Sequence, residues 1–102
     1  MTNLNDDGLE QLIQSEGTSL VYFTADWCGP CKILRPIMEK VEQDCDSNIK
    51  FVKADVKEAP ETIKHLGIKN LPTCVLVHDG KEVARFSGIK KEEEIKKFLE
   101  TI

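Results

Sequence analysis

The sequence lacks any apolar run near the roughly 18–20 residues that cross a bilayer, so no helical membrane span is expected. Its first residues, Met1-Thr2-Asn3-Leu4-Asn5-Asp6-Asp7, have neither the basic region nor the apolar stretch of a secretory signal. The expected address is therefore cytoplasmic, where thiols are kept reduced. Basic residues are not in excess: the formal net charge is −4, which argues against a nucleic-acid partner, since such proteins normally carry a basic face. Linker-like Pro, Gly or Ser tracts, internal repeats and low-complexity segments are all absent, so residues 1–102 read as a single domain and a monomer is expected. What is present is ordinary for a soluble globular chain, 40% apolar and 31% charged. A chain of this size buries enough surface to fold without disulfide or metal staples.

Apolar periodicity lays out the elements. Leu9, Leu12 and Ile13 recur at helical spacing, with Asp6-Asp7 as the cap and Gly17 as the terminator. Residues 19–25 (SLVYFTA) form a short β-branched and aromatic run typical of a buried strand. After Cys28-Gly29-Pro30-Cys31, a helix over 31–45 is expected, because Leu34, Ile37, Met38, Val41 and Cys45 share one face. Pro36 inside it lacks an N–H and crowds the Lys32 carbonyl, which predicts a kink. Residues 49–56 are a second strand after a turn at Asn48, and 59–66 a short helix closed by Gly67. Thr73–His78 is a third strand; Asp79-Gly80 signals a hairpin into a fourth at 82–87. Ile95, Phe98, Leu99 and Ile102 mark a closing amphipathic helix, with Lys90–Glu94 and Lys96-Lys97 as its solvated side. A tiny strand at 2–4 is a further candidate. Strands separated by helices imply parallel crossovers, with one antiparallel edge from the hairpin. The fold class is α/β, a central mixed sheet of four to five strands with helices on both faces.

Two cysteines three apart at a strand–helix junction suit either half a zinc site or a redox pair. Zinc needs a second ligand pair, and Cys45, Cys74, His65 and His78 form none at close spacing, so no metal is expected. A redox pair fits the position. Unpaired N–H groups and the helix dipole at a helix start favour a thiolate at Cys28, and the thiolate is the nucleophile of disulfide exchange. Pro30 suits a first helical turn. Cys31, about one turn on and expected to be more buried, is placed to resolve a mixed disulfide.

Trp27-Cys28-Gly29-Pro30-Cys31, with Ala25, Pro36, Lys53, Leu71-Pro72-Thr73, Asp79-Gly80 and Ser87-Gly88 at matching intervals, resembles the thioredoxin family from about residue 19 onward. The resemblance implies a thioredoxin fold and a protein-disulfide reductase with Cys28 and Cys31 catalytic. It also implies a cis Pro72 facing the dithiol and a substrate groove of Trp27, Gly29, Pro30, Leu71, Pro72, Gly88 and Ile89. There the Leu71 backbone can pair with an extended partner segment. The implied partners are protein disulfides and an NADPH-dependent flavoprotein thioredoxin reductase, with no cofactor of the chain's own.

One departure stands out. The family's buried Asp below the dithiol, thought to take the resolving thiol's proton, falls on Tyr22, a poor base near neutral pH. Lys53 stands at the partner-lysine position without its carboxylate. Both are read as modulating residues. Asp26, on the active-site loop, is expected to face solvent. Cys45 and Cys74 read as buried packing thiols. Two other classes share the scaffold: disulfide isomerases, which more often have His at the Pro30 position, and non-catalytic modules of larger enzymes.

Overall fold

The computed structural model describes residues 1–45 and 48–101; Ile102, assigned above to the closing stripe, lies outside them. The elements in chain order are β1 (Thr2–Asn3), α1 (Asp6–Gln14), β2 (Thr18–Thr24), α2 (Gly29–Asp44), β3 (Ile49–Asp55), α3 (Pro60–Leu66), β4 (Thr73–His78), β5 (Lys81–Ser87) and α4 (Glu92–Leu99). One five-stranded sheet runs β1-β3-β2-β4-β5. The β1–β3 and β2–β3 pairs are parallel, and β2–β4 and β4–β5 antiparallel.

The orientation of β4 corrects the sequence reading, which made the hairpin strand alone antiparallel. The cause is the length of α3. Seven residues of helix advance about 10 Å, less than half of the roughly 23 Å of a seven-residue strand. The chain leaving β3 therefore never reaches the far end of the sheet. It bends back through residues 67–72 and starts β4 beside the end of β2, with Thr73 opposite Phe23. That reversal carries Leu71-Pro72 to the end of the sheet where the dithiol lies.

Strand alternation splits the interior into two cores. On one face Leu20, Tyr22, Phe51, Cys74, Leu76 and Phe86 pack under Leu34, Met38 and Val41 of α2 and Ile95 and Leu99 of α4. On the other, Val21, Phe23, Val52, Ala54, Val75 and Val77 pack under Leu9 of α1, joined by Ile63 and Leu66 of α3. Each fully buried Leu or Ile contributes about 1.5–3 kcal/mol. Phe86 and Phe98 meet edge to face at 5.0 Å and fix α4 over the β5 edge. The helix α2 continues through Pro36 to Asp44. At the hairpin, Asp79 and Gly80 both take positive φ, 47° and 85°, as a tight two-residue turn between antiparallel strands requires. Among the described residues, no helix is long and apolar enough to cross a membrane.

The helix ends differ from expectation in one instructive place. The cap of α1 is Asn5, whose Oδ1 accepts the Gly8 N–H at 2.9 Å. Its end is Gln14, with the Ser15 N–H on the Leu12 carbonyl; Gly17 instead turns the chain into β2 at φ 100°. Asp6, freed from capping its own helix, caps another. It accepts the Thr62 N–H at 2.8 Å, the Thr62 hydroxyl at 2.7 Å and the Glu61 N–H at 3.2 Å. These lie at the start of α3, whose own Ala59 offers no side-chain acceptor. Desolvation pushes the Asp6 carboxyl up, but the hydrogen bonds outweigh it and hold it below its ordinary value. A depressed folded value stabilises above the unfolded pKa of about 4 and is lost as pH falls below it. Asp6→Ala should therefore lower the melting midpoint near neutral pH, with the gap from the parent closing at about pH 2–3. A gap of equal size at both ends of that range would show that capping is not its cause.

Candidate active site

The strand β2 ends at Thr24, and α2 begins at Gly29, two residues earlier than periodicity suggests. Cys28 is thus the N-cap itself. It holds extended backbone angles, φ −92° and ψ 109°, and its Sγ accepts the Cys31 N–H at 3.2 Å. A sulfur at this position meets an unpaired helical N–H and the positive end of the helix dipole, both of which favour negative charge. Pro30 in the first turn loses no hydrogen bond there. Cys28 and Cys31 are joined as a disulfide, with Cα atoms 5.3 Å apart. Burial does not separate the two as expected: Cys28 is 4% exposed and Cys31 2%. They differ by position, one capping the helix and one a turn inside it.

The groove residues named from the sequence all lie at one end of the sheet, because Phe23, Thr73 and Ser87 form one row across β2, β4 and β5. Trp27 is 72% exposed and Ile89 48%. Gly29 and Pro30 are exposed, Leu71 and Gly88 half-buried, and Pro72 buried. The Leu71–Pro72 bond is cis, as the resemblance implies. The Gly88 N–H donates to the Pro72 carbonyl at 2.9 Å and ties the two loops together. The Thr73 hydroxyl donates to the Asn70 carbonyl at 2.5 Å and holds the bend. Among the described residues, the N–H and carbonyl of Leu71 have no partner. On α2 an exposed apolar residue was missed: Ile33, 57% exposed, lies three and four positions beyond Pro30 and Gly29 on the same helix face. Its signal was available, since it falls outside the apolar stripe of α2.

Beneath the dithiol, Tyr22 pairs with Lys53 on one side and Cys74 on the other, a row across three strands. Tyr22 is fully buried and donates its hydroxyl to the Cys31 carbonyl at 2.5 Å. Burial pushes its phenol above the ordinary value. Cys74 is fully buried, and desolvation raises its thiol far enough to keep it protonated and inert. Cys45 is half-buried at the end of α2, against the same core. Lys53 is half-buried and lines a cleft of about 400 Å³ with Tyr22, Cys31 and Asp55. Asp26 faces solvent as expected and pairs with Lys57 at 3.7 Å. His65 is exposed on α3, and the His78 Nδ1 lies 2.9 Å from the Thr18 hydroxyl. Among the described residues no cluster of three or more His, Cys, Asp or Glu is arranged to hold a metal.

Comparison with known proteins agrees with this geometry. The Thioredoxin family profile matches residues 1–101. The chain is 38% identical to thioredoxin of Bacillus subtilis over 85 residues, 83% of this chain and 82% of that one. It is 40% identical to thioredoxin of Mycoplasmoides gallisepticum over 95 residues, 93% and 94% of the two chains. A solved structure described as the structural basis of the thiol resolving mechanism in yeast mitochondrial 1-Cys peroxiredoxin via glutathione/thioredoxin systems contains a chain similar over 100% of this one and 95% of its own. Its TM-score is 0.89 and its identity 30%. Paired cysteines at a helix cap make thiol–disulfide exchange the chemistry of the site, and with that profile spanning nearly every residue the chain belongs to the thioredoxin family, as a protein-disulfide oxidoreductase.

Proposed function

We propose that this chain is a general protein-disulfide reductant in which Cys28 attacks and Cys31 resolves. The observation that carries the order of attack is the Cys31 N–H directed at the Cys28 sulfur from the first turn of α2. The Cys28 thiolate attacks one sulfur of a partner disulfide, and the other partner sulfur leaves as thiolate. Cys31 then loses its proton and attacks the Cys28 sulfur. The Cys28–Cys31 bond forms, the mixed disulfide breaks, and the partner leaves with two thiols. Two electrons pass from the dithiol to the partner, together with one proton from Cys31 and one from the solvent that took the Cys28 proton.

The partner segment lies across Trp27, Gly29, Pro30, Leu71, Pro72, Gly88 and Ile89, with Ile33 extending the apolar rim. The unpaired Leu71 backbone supports strand-like pairing with it. The oxidised chain is recharged by an NADPH-dependent flavoprotein thioredoxin reductase, and the chain acts in the cytoplasm as a monomeric single domain. Neither nucleic acid nor membrane is a partner. Insulin reduction by dithiothreitol, followed as turbidity, tests the catalyst against a scaffold role. The parent should accelerate precipitation, and Cys28→Ser should fall to the rate of dithiothreitol alone. Equal rates for parent and variant would overturn the proposal.

A further inference from the structure

If Cys31 resolves, as proposed above, its proton has to leave, and Tyr22 is poorly placed to take it. The phenol is a donor here, its hydroxyl committed to the Cys31 carbonyl. The opening behind the dithiol is the cleft of about 400 Å³, space for several waters at about 30 Å³ each. Its floor follows from the register of β2 and β3. Tyr22 is opposite Lys53 and Thr24 opposite Asp55, so all four project to the α2 side of the sheet. Cys31 lines the same cleft.

Three carboxylates border it, and two are rim groups already engaged. Asp26 is 79% exposed and pairs with Lys57. Glu58 is exposed and accepts from the Asn3 amide at 3.4 Å. Asp55 belongs to the floor and is half-buried. Its Oδ1 accepts the Lys57 N–H at 2.8 Å, while its Oδ2 has no partner among the described residues. The charged groups facing it are Lys53 on its own strand, Lys57 and Glu58 beyond the strand end, and Lys32 and Arg35 of α2. Four lysine or arginine side chains border the cleft.

We infer that Asp55 is the proton acceptor for Cys31, reached through water in the cleft, and takes over the task that a buried carboxylate at position 22 would perform. The Cys31 S–H bond breaks, the proton passes by way of water to Oδ2, and the Cys31 thiolate attacks Cys28. The proton returns to the partner thiolate released in that step, leaving Asp55 unchanged.

Asp55→Asn is a selective test, because asparagine keeps an Oδ1 to accept the Lys57 N–H and loses only the basic oxygen. Reduction of a disulfide-bonded peptide is followed by stopped-flow Trp27 fluorescence, and the concentration-independent phase reports resolution. That phase should slow at least about tenfold near pH 6.5, the low side of general-base effects. It should converge on the parent by about pH 9, where hydroxide takes the proton without a carboxylate's help. Asp26→Asn should match the parent throughout. An unchanged rate at pH 6.5, a slowing equal at every pH, or the same loss in Asp26→Asn would each overturn the inference. Trapping by Cys31→Ser, measured beforehand, separates it from the reading it rests on. A trap with a pH-independent Asp55→Asn overturns Asp55 alone, whereas no trap overturns the order of attack and Asp55 with it.

Discussion

A Cys31→Ser variant should accumulate mixed disulfides with partner proteins, visible as discrete adducts on a non-reducing gel, and Cys28→Ser should accumulate none. The size of the effect follows from geometry. In the parent the two cysteines are a turn apart, with Cα atoms 5.3 Å from each other, and resolution is intramolecular. Well-oriented intramolecular reactions reach effective molarities of about 10⁵ M or more. A free thiol competing at millimolar concentration cannot approach that, so loss of Cys31 should lengthen the life of the adduct by on the order of a thousandfold or more. Serine at 31 preserves the helix turn and its N–H toward Cys28, so attack itself continues. Serine at 28 removes the sulfur that receives that N–H, and the thiol left behind lies a turn inside the helix, away from the capping position. Equal trapping by the two variants would refute the order of attack, because burial alone makes no distinction between thiols 4% and 2% exposed.

The parts of this site that rest on local chemistry were legible in the sequence. WCGPC marked the dithiol at a strand–helix junction and Asp79-Gly80 marked the hairpin, while the cis Pro72 came from the family resemblance that these motifs carry. What escaped depended on distances across the chain. Asp6 reads as a cap for its own helix, and nothing near it in sequence shows that it caps α3, 56 positions on at Thr62. The direction of β4 escaped because crossover reasoning assumes a helix long enough to span the strand, and α3 is too short. Asp55 was passed over because a carboxylate at a strand end is ordinarily solvated; only the pairing of Thr24 with Asp55 puts it on the same floor as Tyr22. Tyr22 was recognised as a departure from its family's pattern, but its hydroxyl contact to the Cys31 carbonyl required the packing of α2 over β2.

Replacing Tyr22 with aspartate should lower the melting midpoint by about 15–30 °C. Tyr22 is fully buried between Lys53 and Cys74 and packs under α2. Removing an aromatic ring from such a site costs about 3–5 kcal/mol, and each kcal/mol moves the midpoint of a domain this size by about 4–8 °C. Charge adds a pH dependence. Full desolvation raises a carboxyl by up to about 3–5 units, and one nearby cation lowers it by about 1–3. Lys53, half-buried and directly across the strand pair, thus offsets desolvation only in part. The new carboxyl would hold its proton more tightly folded than unfolded. A raised folded value stabilises fully below the unfolded pKa of about 4, and that contribution is lost as pH rises through the folded value. The variant should therefore be closer to the parent at pH 4 than at pH 7. Tyr22→Phe keeps the ring and loses one hydrogen bond, worth about 1 kcal/mol, with no new titrating group. Its midpoint should drop by about 4–8 °C, by the same amount at both pH values. Melting curves of the three proteins at the two pH values decide the matter. An aspartate variant within a few degrees of the parent, with no change between pH 4 and pH 7, would mean that the ring at 22 does not hold α2 to the sheet.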